Sequence, residues 1–376
     1  MIKKRFWTVL TLLVLCYTYS ALASPLITYE NPTSPHNTYL NINKTFQINI
    51  SIVEPALRKL TFSWNASSPT SYDYYSHSLI LLLNLNNRSS LFENSSYVAD
   101  SSIYNLTSVS TNVTNYTLSG RYESAFDFDG VDDYLNISNN INLTGRNLTA
   151  SLWMKRDTTK NCAGILGKGD LTTTKGFAIY EGQSCGGSSG QLKFLIGNGS
   201  TFGDIYTRSV LSNNRWYHVA FRFDGNFSVF VDGNLENNTA TIVSRMADDP
   251  APFYLGTNSW AGTQFYDGLV DEVHVWNRSL SNQEIYQEFT TNIERYNQTQ
   301  WYVFINQSKN TTNELNNGSY AHTFDAFNNL NAQGSIETRI ITIGSNPALA
   351  PEWNNLAIFA ILIITIGGYL YRSKKE

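Results

Sequence analysis

Three aspartates within five positions, Asp129, Asp132 and Asp133, are the densest acidic group in the sequence. Ca²⁺ takes several oxygen ligands, and carboxylates gathered by a turn can supply part of such a set. Asp129-Gly130 is equally the signature of a plain turn, the carboxylate bonding nearby backbone N–H groups, so the cluster reads two ways. Glycoside hydrolysis needs two carboxylates flanking the scissile bond, commonly from a Glu-x-Asp-x-x-Glu strand, and that spacing does not occur. Asp271 and Glu272 are adjacent, so on a regular strand they point to opposite faces and make no pair. Gly182-Gln-Ser184-Cys-Gly186 has the form of a nucleophile elbow, but Gly187-Ser-Ser-Gly-Gln191 follows where a helix is required, so it reads as a hairpin loop. His36, His77, His218, His274 and His322 show no metal-ligand spacing. No catalytic residue is assigned.

Other residues suit recognition. Trp260, Phe265 and Tyr266 lie in a Gly/Asn-rich loop where rings can stack on sugars, or where some of them close the end of a sandwich. Nineteen of 42 asparagines stand in N-x-[ST] acceptors, among them Asn43, Asn49, Asn65, Asn105, Asn112, Asn142, Asn198, Asn226, Asn277 and Asn306. That excess favours an exported glycoprotein, against simple Asn/Ser/Thr bias. Charged residues make up only 15% of the chain. Without the basic clusters at its two ends, 20 Lys and Arg face 29 Asp and Glu, which makes nucleic acid a poor partner.

The ends explain the basic residues. Residues 1–23 read as a secretory leader: Lys3-Lys4-Arg5, an apolar run, then Ala21-Leu22-Ala23. Cys16 falls within it, leaving Cys162 and Cys185, and two thiols in an exported chain usually pair; free thiols or a partner chain are the alternative. Residues 353–371 form an apolar run of about 28 Å as a helix, just enough to span a bilayer. Arg372, Lys374 and Lys375 follow, so residues 372–376 are expected in the cytoplasm and the N-terminus outside.

The elements that position these residues are strands. Phe46, Ile48, Ile50 and Ile52 alternate with polar neighbours, as do Leu60, Phe62 and Trp64, while Leu79 to Leu83 suits a strand buried on both faces. Further strands are expected over 151–155, 164–168, 177–180, 192–196, 216–223, 227–231 and 270–276, punctuated by Asp-Gly turns. Strands 164–168 and 177–180 would form a hairpin that brings Cys162 close to the residues following the second strand, so a Cys162–Cys185 bond is expected. Ser281 and Glu284 make a capping box for one helix over 282–289.

Ala125-Phe-Asp-Phe-Asp-Gly-Val-Asp-Asp-Tyr-Leu135, Leu152-Trp-Met154, Ile165-Leu-Gly-Lys-Gly169, Arg215-Trp-Tyr-His-Val-Ala220, Val229-Phe-Val-Asp-Gly233 and Asp267-Gly-Leu-Val-Asp-Glu-Val-His-Val-Trp-Asn-Arg-Ser-Leu-Ser281 occur in an order that resembles the laminin-G-like jelly rolls of the concanavalin A-like superfamily. The resemblance implies a two-sheet jelly roll over residues 77–290, used for carbohydrate binding or adhesion. It also implies that the segment around Asp271 runs beside Asp129, Asp132 and Asp133, which would make it a fourth calcium ligand.

The flanks, residues 25–76 and 297–344, are each too short to enclose a core. Together they suit one immunoglobulin-like sandwich interrupted by the jelly roll, because Leu315-Asn-Asn-Gly-Ser-Tyr320 resembles a tyrosine corner. The expected fold is therefore all-β: a jelly roll, a split immunoglobulin-like sandwich and a C-terminal transmembrane helix. The expected role is a cell-surface adhesion or carbohydrate-binding protein, held in the cell membrane by one helix, with a glycan or a surface protein as partner. A structural envelope or S-layer-like protein is the alternative, and a glycan-active enzyme stands third.

Overall fold

The computed structural model describes residues 24–40, 45–64, 70–111, 115–138, 141–145, 147–169, 174–241, 243–257, 264–308 and 315–344. The expected leader, membrane span and tail lie outside them, as do Asn43, Asn65, Asn112 and Trp260. Among the described residues no helix is long and apolar enough to cross a membrane. The described residues are all-β apart from the helix Asn282–Thr290 and a 3-10 turn at Ser89–Leu91.

Two eight-stranded sheets form the larger sandwich. Its inner sheet has Leu148–Arg156 and Asp267–Trp276 side by side at the centre, with Tyr217–Phe223, Asn226–Val231 and Asn234–Ala240 on one side and Ala125–Asp129 on the other. The outer sheet runs Phe202–Tyr206, Leu192–Asn198, Lys175–Glu181, Gly164–Lys168, Phe253–Leu255, Tyr134–Ile137, Thr107–Thr111, Tyr97–Ala99. Phe126, Phe128, Leu152, Phe177, Phe194, Phe221 and Phe227 fill the space between the sheets. Alternation along each strand sends these rings to one core.

The flanks combine in a second sandwich. One sheet is ordered Leu26–Glu30, Phe46–Val53, Gln300–Gln307, Thr291–Arg295, so two strands from each end of the chain share it. Phe46–Val53 pairs with Gln300–Gln307 along its whole length, from Phe46 opposite Gln307 to Val53 opposite Gln300. The other sheet contains Thr38–Leu40, Arg339–Ile343, Gly318–Asn328, Leu57–Trp64 and Thr70–Tyr75. The second half of this sandwich starts at Thr291, directly after the helix and earlier than the expected residue 297. The Tyr320 hydroxyl donates to the Asn316 carbonyl at 3.0 Å, the bond a tyrosine corner makes.

The core of the second sandwich does not end at its own sheets. Leu79, Leu82, Ala220, Phe230 and Trp276 point out of the inner sheet of the jelly roll and join Ile50, Phe62, Trp301 and Phe324, with Leu280 and Ile285 around the helix. This explains why Leu79–Leu83 is apolar throughout: Leu81 and Leu83 face one core, Leu79 and Leu82 the other. Each fully buried aliphatic or aromatic side chain contributes about 1.5–3 kcal/mol, so the seam is a structural interface. The helix is fixed there by its capping box, Glu284 N donating to Ser281 Oγ at 3.2 Å and Ser281 N to Glu284 Oε2 at 2.7 Å.

Candidate functional site

With the inner sheet covered, the loops at one end of the jelly roll hold the candidate binding residues. Asp129 ends its strand opposite Asp267. The chain turns at Gly130, φ +70°, where a Cβ would come within 2.8 Å of Asp267 Cβ and Lys160 Cε, so glycine is required. Asp129 Oδ1 accepts from the backbone N–H of Val131 at 2.8 Å, and Asp129 N donates to Asp133 Oδ2 at 3.3 Å. Asp129, Asp132 and Asp133 each offer an oxygen within 4.8 Å of the others, the first two exposed and the third buried. Burial raises the pKa of Asp133, and the charges of Asp129, Asp132 and Asp127 raise it further. Both readings of this segment thus have a geometric basis: a turn bonded to its own backbone, and oxygens close enough for a cation with ligand distances near 2.4 Å.

Asp271 does not join them. Four register positions separate it from Asp267, about 13 Å along the strand. It is fully buried, accepting from Tyr122 N and from Glu272 N, both at 2.9 Å. The alternation expected of Asp271 and Glu272 fails as well. A bulge opposite Ser151 and Trp153 inserts an extra residue, and Glu272 adopts φ +48°. Val270 and Val273 stay in the jelly-roll core while both carboxylates turn toward the seam. Burial, then Glu272, hold the Asp271 carboxyl well above the usual range.

Glu272 is the centre of a sealed polar network. Its oxygens accept from Asn84 Nδ2 and Asn292 Nδ2, each at 2.8 Å. His274 stands between Glu288, 2.6 Å from its Nδ1, and Glu272, 3.6 Å from its Nε2. Burial opposes a charge on this imidazole, but Glu288 and Glu272 outweigh it and push its pKa up to about 10. Its members are buried, and the network fastens the jelly roll to the helix and the strand Thr291–Arg295.

Phe265 and Tyr266 separate by strand alternation. Phe265 is half-buried at the surface, its ring 6.3 Å from that of Tyr134, which lies 6.2 Å from Tyr254. Tyr266 is 0% exposed and packs on Phe128 in the core, so it is corrected from ligand contact to core residue. Tyr134 and Tyr254 escaped the sequence reading, although alternation was the available signal: Tyr134 precedes buried Leu135, and Tyr254 sits between buried Phe253 and Leu255.

The disulfide Cys162–Cys185 steadies the neighbouring loops, its Cα atoms 5.5 Å apart. It closes the hairpin of Gly164–Lys168 and Lys175–Glu181 as expected. Asn161 Oδ1 accepts from Gln183 Nε2 at 2.8 Å and from Ser184 Oγ at 2.9 Å, so Ser184 belongs to a hydrogen-bonded loop. Beneath them Arg156 Nε donates to Glu181 Oε1 at 2.5 Å, both side chains sealed. Burial pushes Glu181 up to about 7 against the pull of Arg156.

A family model described as the concanavalin A-like lectin/glucanases superfamily (Laminin_G_3) matches residues 129–286, less than half of the chain. No curated protein matches the sequence. Among solved structures, domain 4 of AbnA, a GH43 extracellular arabinanase from Geobacillus stearothermophilus in complex with arabinotriose, is 18% identical, with a TM-score of 0.43 over 55% of this chain and 97% of that one. The binding domain of Paraclostridial Mosquitocidal Protein 1 is 17% identical, with a TM-score of 0.45 over 58% of this chain and 54% of that one. The botulinum neurotoxin serotype D binding domain is 17% identical, with a TM-score of 0.43 over 56% of this chain and 50% of that one.

Proposed function

We propose that this chain is a cell-surface protein whose jelly roll binds a saccharide at the disulfide-steadied rim, with the second sandwich as an immunoglobulin-like stem above a single membrane helix. The observation that carries the reading is the grouping of Tyr134, Tyr254 and Phe265 beside the Asp129–Asp133 turn, within a domain matched by a lectin/glucanases family. Aromatic faces supply stacking area, and acidic or amide groups at their edge supply directed hydrogen bonds. Ca²⁺ on Asp129, Asp132 and Asp133 is part of the proposal: it would relieve their mutual repulsion and stiffen the turn that leads into Tyr134. A binding role is favoured over hydrolysis because the adjacent carboxylates Asp271 and Glu272 are sealed in the seam.

A glycan array probed with residues 24–344 tests the reading. A retained glycan whose signal falls with Tyr134→Ala, Phe265→Ala or EDTA agrees with it. Self-assembly of the same protein into sheets, with no glycan retained, would favour a passive envelope component.

A further inference from the structure

Two adjoining hollows of about 510 and 430 Å³ open along the seam, and Tyr122 and Phe304 wall both. The smaller is bounded by Arg121, Phe289, Asn306 and Ser308 as well. Its volume lies within the range of small-ligand sites, and its lining combines aromatic rings with polar groups. Asn306 is exposed, two residues beyond Phe304, and so shares its face of Gln300–Gln307. Asn306-Gln307-Ser308 is an acceptor sequence. Asn49, an acceptor walling the larger hollow, is half-buried and already donates its amide to the Asn31 carbonyl at 2.8 Å.

We propose that Asn306 carries an N-linked glycan whose first sugars lie in the smaller hollow, against Phe304 and Phe289, and fill the cleft between the two sandwiches. The inference rests on the reading of the chain as exported. Ring faces match the C–H faces of a pyranose, while Arg121 at the edge offers N–H donors to its hydroxyls. Attachment joins Asn306 Nδ2 to the anomeric carbon of a saccharide carried on a lipid phosphate. The anomeric C–O bond breaks, the amide loses one proton and the lipid phosphate departs. In the folded protein the Ser308 hydroxyl is bonded to that of Tyr286, midway along the helix, and in this proposal attachment precedes docking of the helix. The glycan is then enclosed as the seam closes.

The test uses the full chain secreted from a glycosylating host, with glycopeptide mass spectrometry at Asn306 and at exposed Asn142 as control. Asn306 should be occupied, and Asn306→Gln should lower the melting temperature by about 3 °C or more, while Asn142→Gln leaves it unchanged. Phe304→Ala with the glycan retained should lose a similar amount, and the double variant should lose little more, since the ring and sugar act together. A bare Asn306 beside an occupied Asn142 overturns the proposal and leaves the exported reading intact; bare acceptors throughout overturn both. An occupied Asn306 whose removal changes nothing also overturns it. Unglycosylated protein that binds a free oligosaccharide in a Phe304-dependent way would assign the hollow to an external ligand and overturn it too.

Discussion

The strand Asp267–Trp276 carries carboxylates into two different surroundings. At its start, Asp267 lies at the rim, 3.6 Å from Lys160 and opposite exposed Asp129. Four residues later Asp271 and Glu272 are sealed beneath the second sandwich, each oxygen of Glu272 taking an amide hydrogen bond. Rim carboxylates can exchange partners with water, a cation or a ligand. Seam carboxylates cannot, and their role is to hold two domains together. The same residue type on one strand is thus open to solvent or locked into architecture according to what covers it, and here the second sandwich does the covering.

Disturbing the seam should have the largest effect. Glu272→Ala takes the buried acceptor from Asn292, one of two acceptors from Asn84, and leaves His274 with Glu288 alone, which costs about 3–5 kcal/mol. The melting temperature should fall by roughly 10 °C, whereas Asp129→Asn in calcium-free buffer should change stability by less than about 0.5 kcal/mol. Equal effects from the two variants would erase the distinction. Next, Cys162→Ser with Cys185→Ser should cost about 2–4 kcal/mol in urea unfolding, because the bond closes a loop of 23 residues at the rim.

The seam should also show in the pH dependence. His274 is raised from 6.5 to about 10 by its carboxylate neighbours, so its contribution is fully present below pH 6.5 and is lost as pH rises through about 10. Raised values for Asp271 and Glu272 act in the same direction. Melting temperatures recorded from pH 6 to 10 should decline, and His274→Gln should flatten that decline while leaving a lower plateau. The smallest effect belongs to the rim: EDTA should lower the melting temperature by a few degrees, and Asp132→Asn should abolish that difference. Identical curves with and without EDTA in the unmodified protein would remove calcium from the account.

Much of this architecture was legible because burial on one face leaves period-two patterns. The strand Gly164–Lys168, the capped helix, the Cys162–Cys185 bond and the doubly buried Leu79–Leu83 follow from local pattern and short-range geometry. Phe265 and the Asp129–Asp133 turn are adjacent to their own strands and were legible for the same reason. Asp271 was misplaced because the strand was rightly set beside the turn but its register was not fixed: Asp267, four residues earlier, is the residue opposite Asp129, while the bulge that turns Glu272 to the same side as Asp271 leaves no signature in the sequence. Tyr266 was misplaced because a loop reading ignores that the strand's alternation already applies one residue before Asp267. The shared core of the two sandwiches lay beyond pattern reading altogether, since Ala220, Phe230 and Trp276 look like ordinary strand residues until their partners are known.

The most direct test of saccharide binding at the rim is the dissociation constant of an array-selected glycan for residues 24–344 and for three variants, Phe265→Ala, Tyr134→Ala and, at the seam, Phe304→Ala. The account predicts at least a tenfold loss, about 1.4 kcal/mol, for each rim variant with an unchanged melting temperature, and no change for the seam variant. Binding that survives both rim substitutions, or that is lost only with Phe304→Ala, would contradict it.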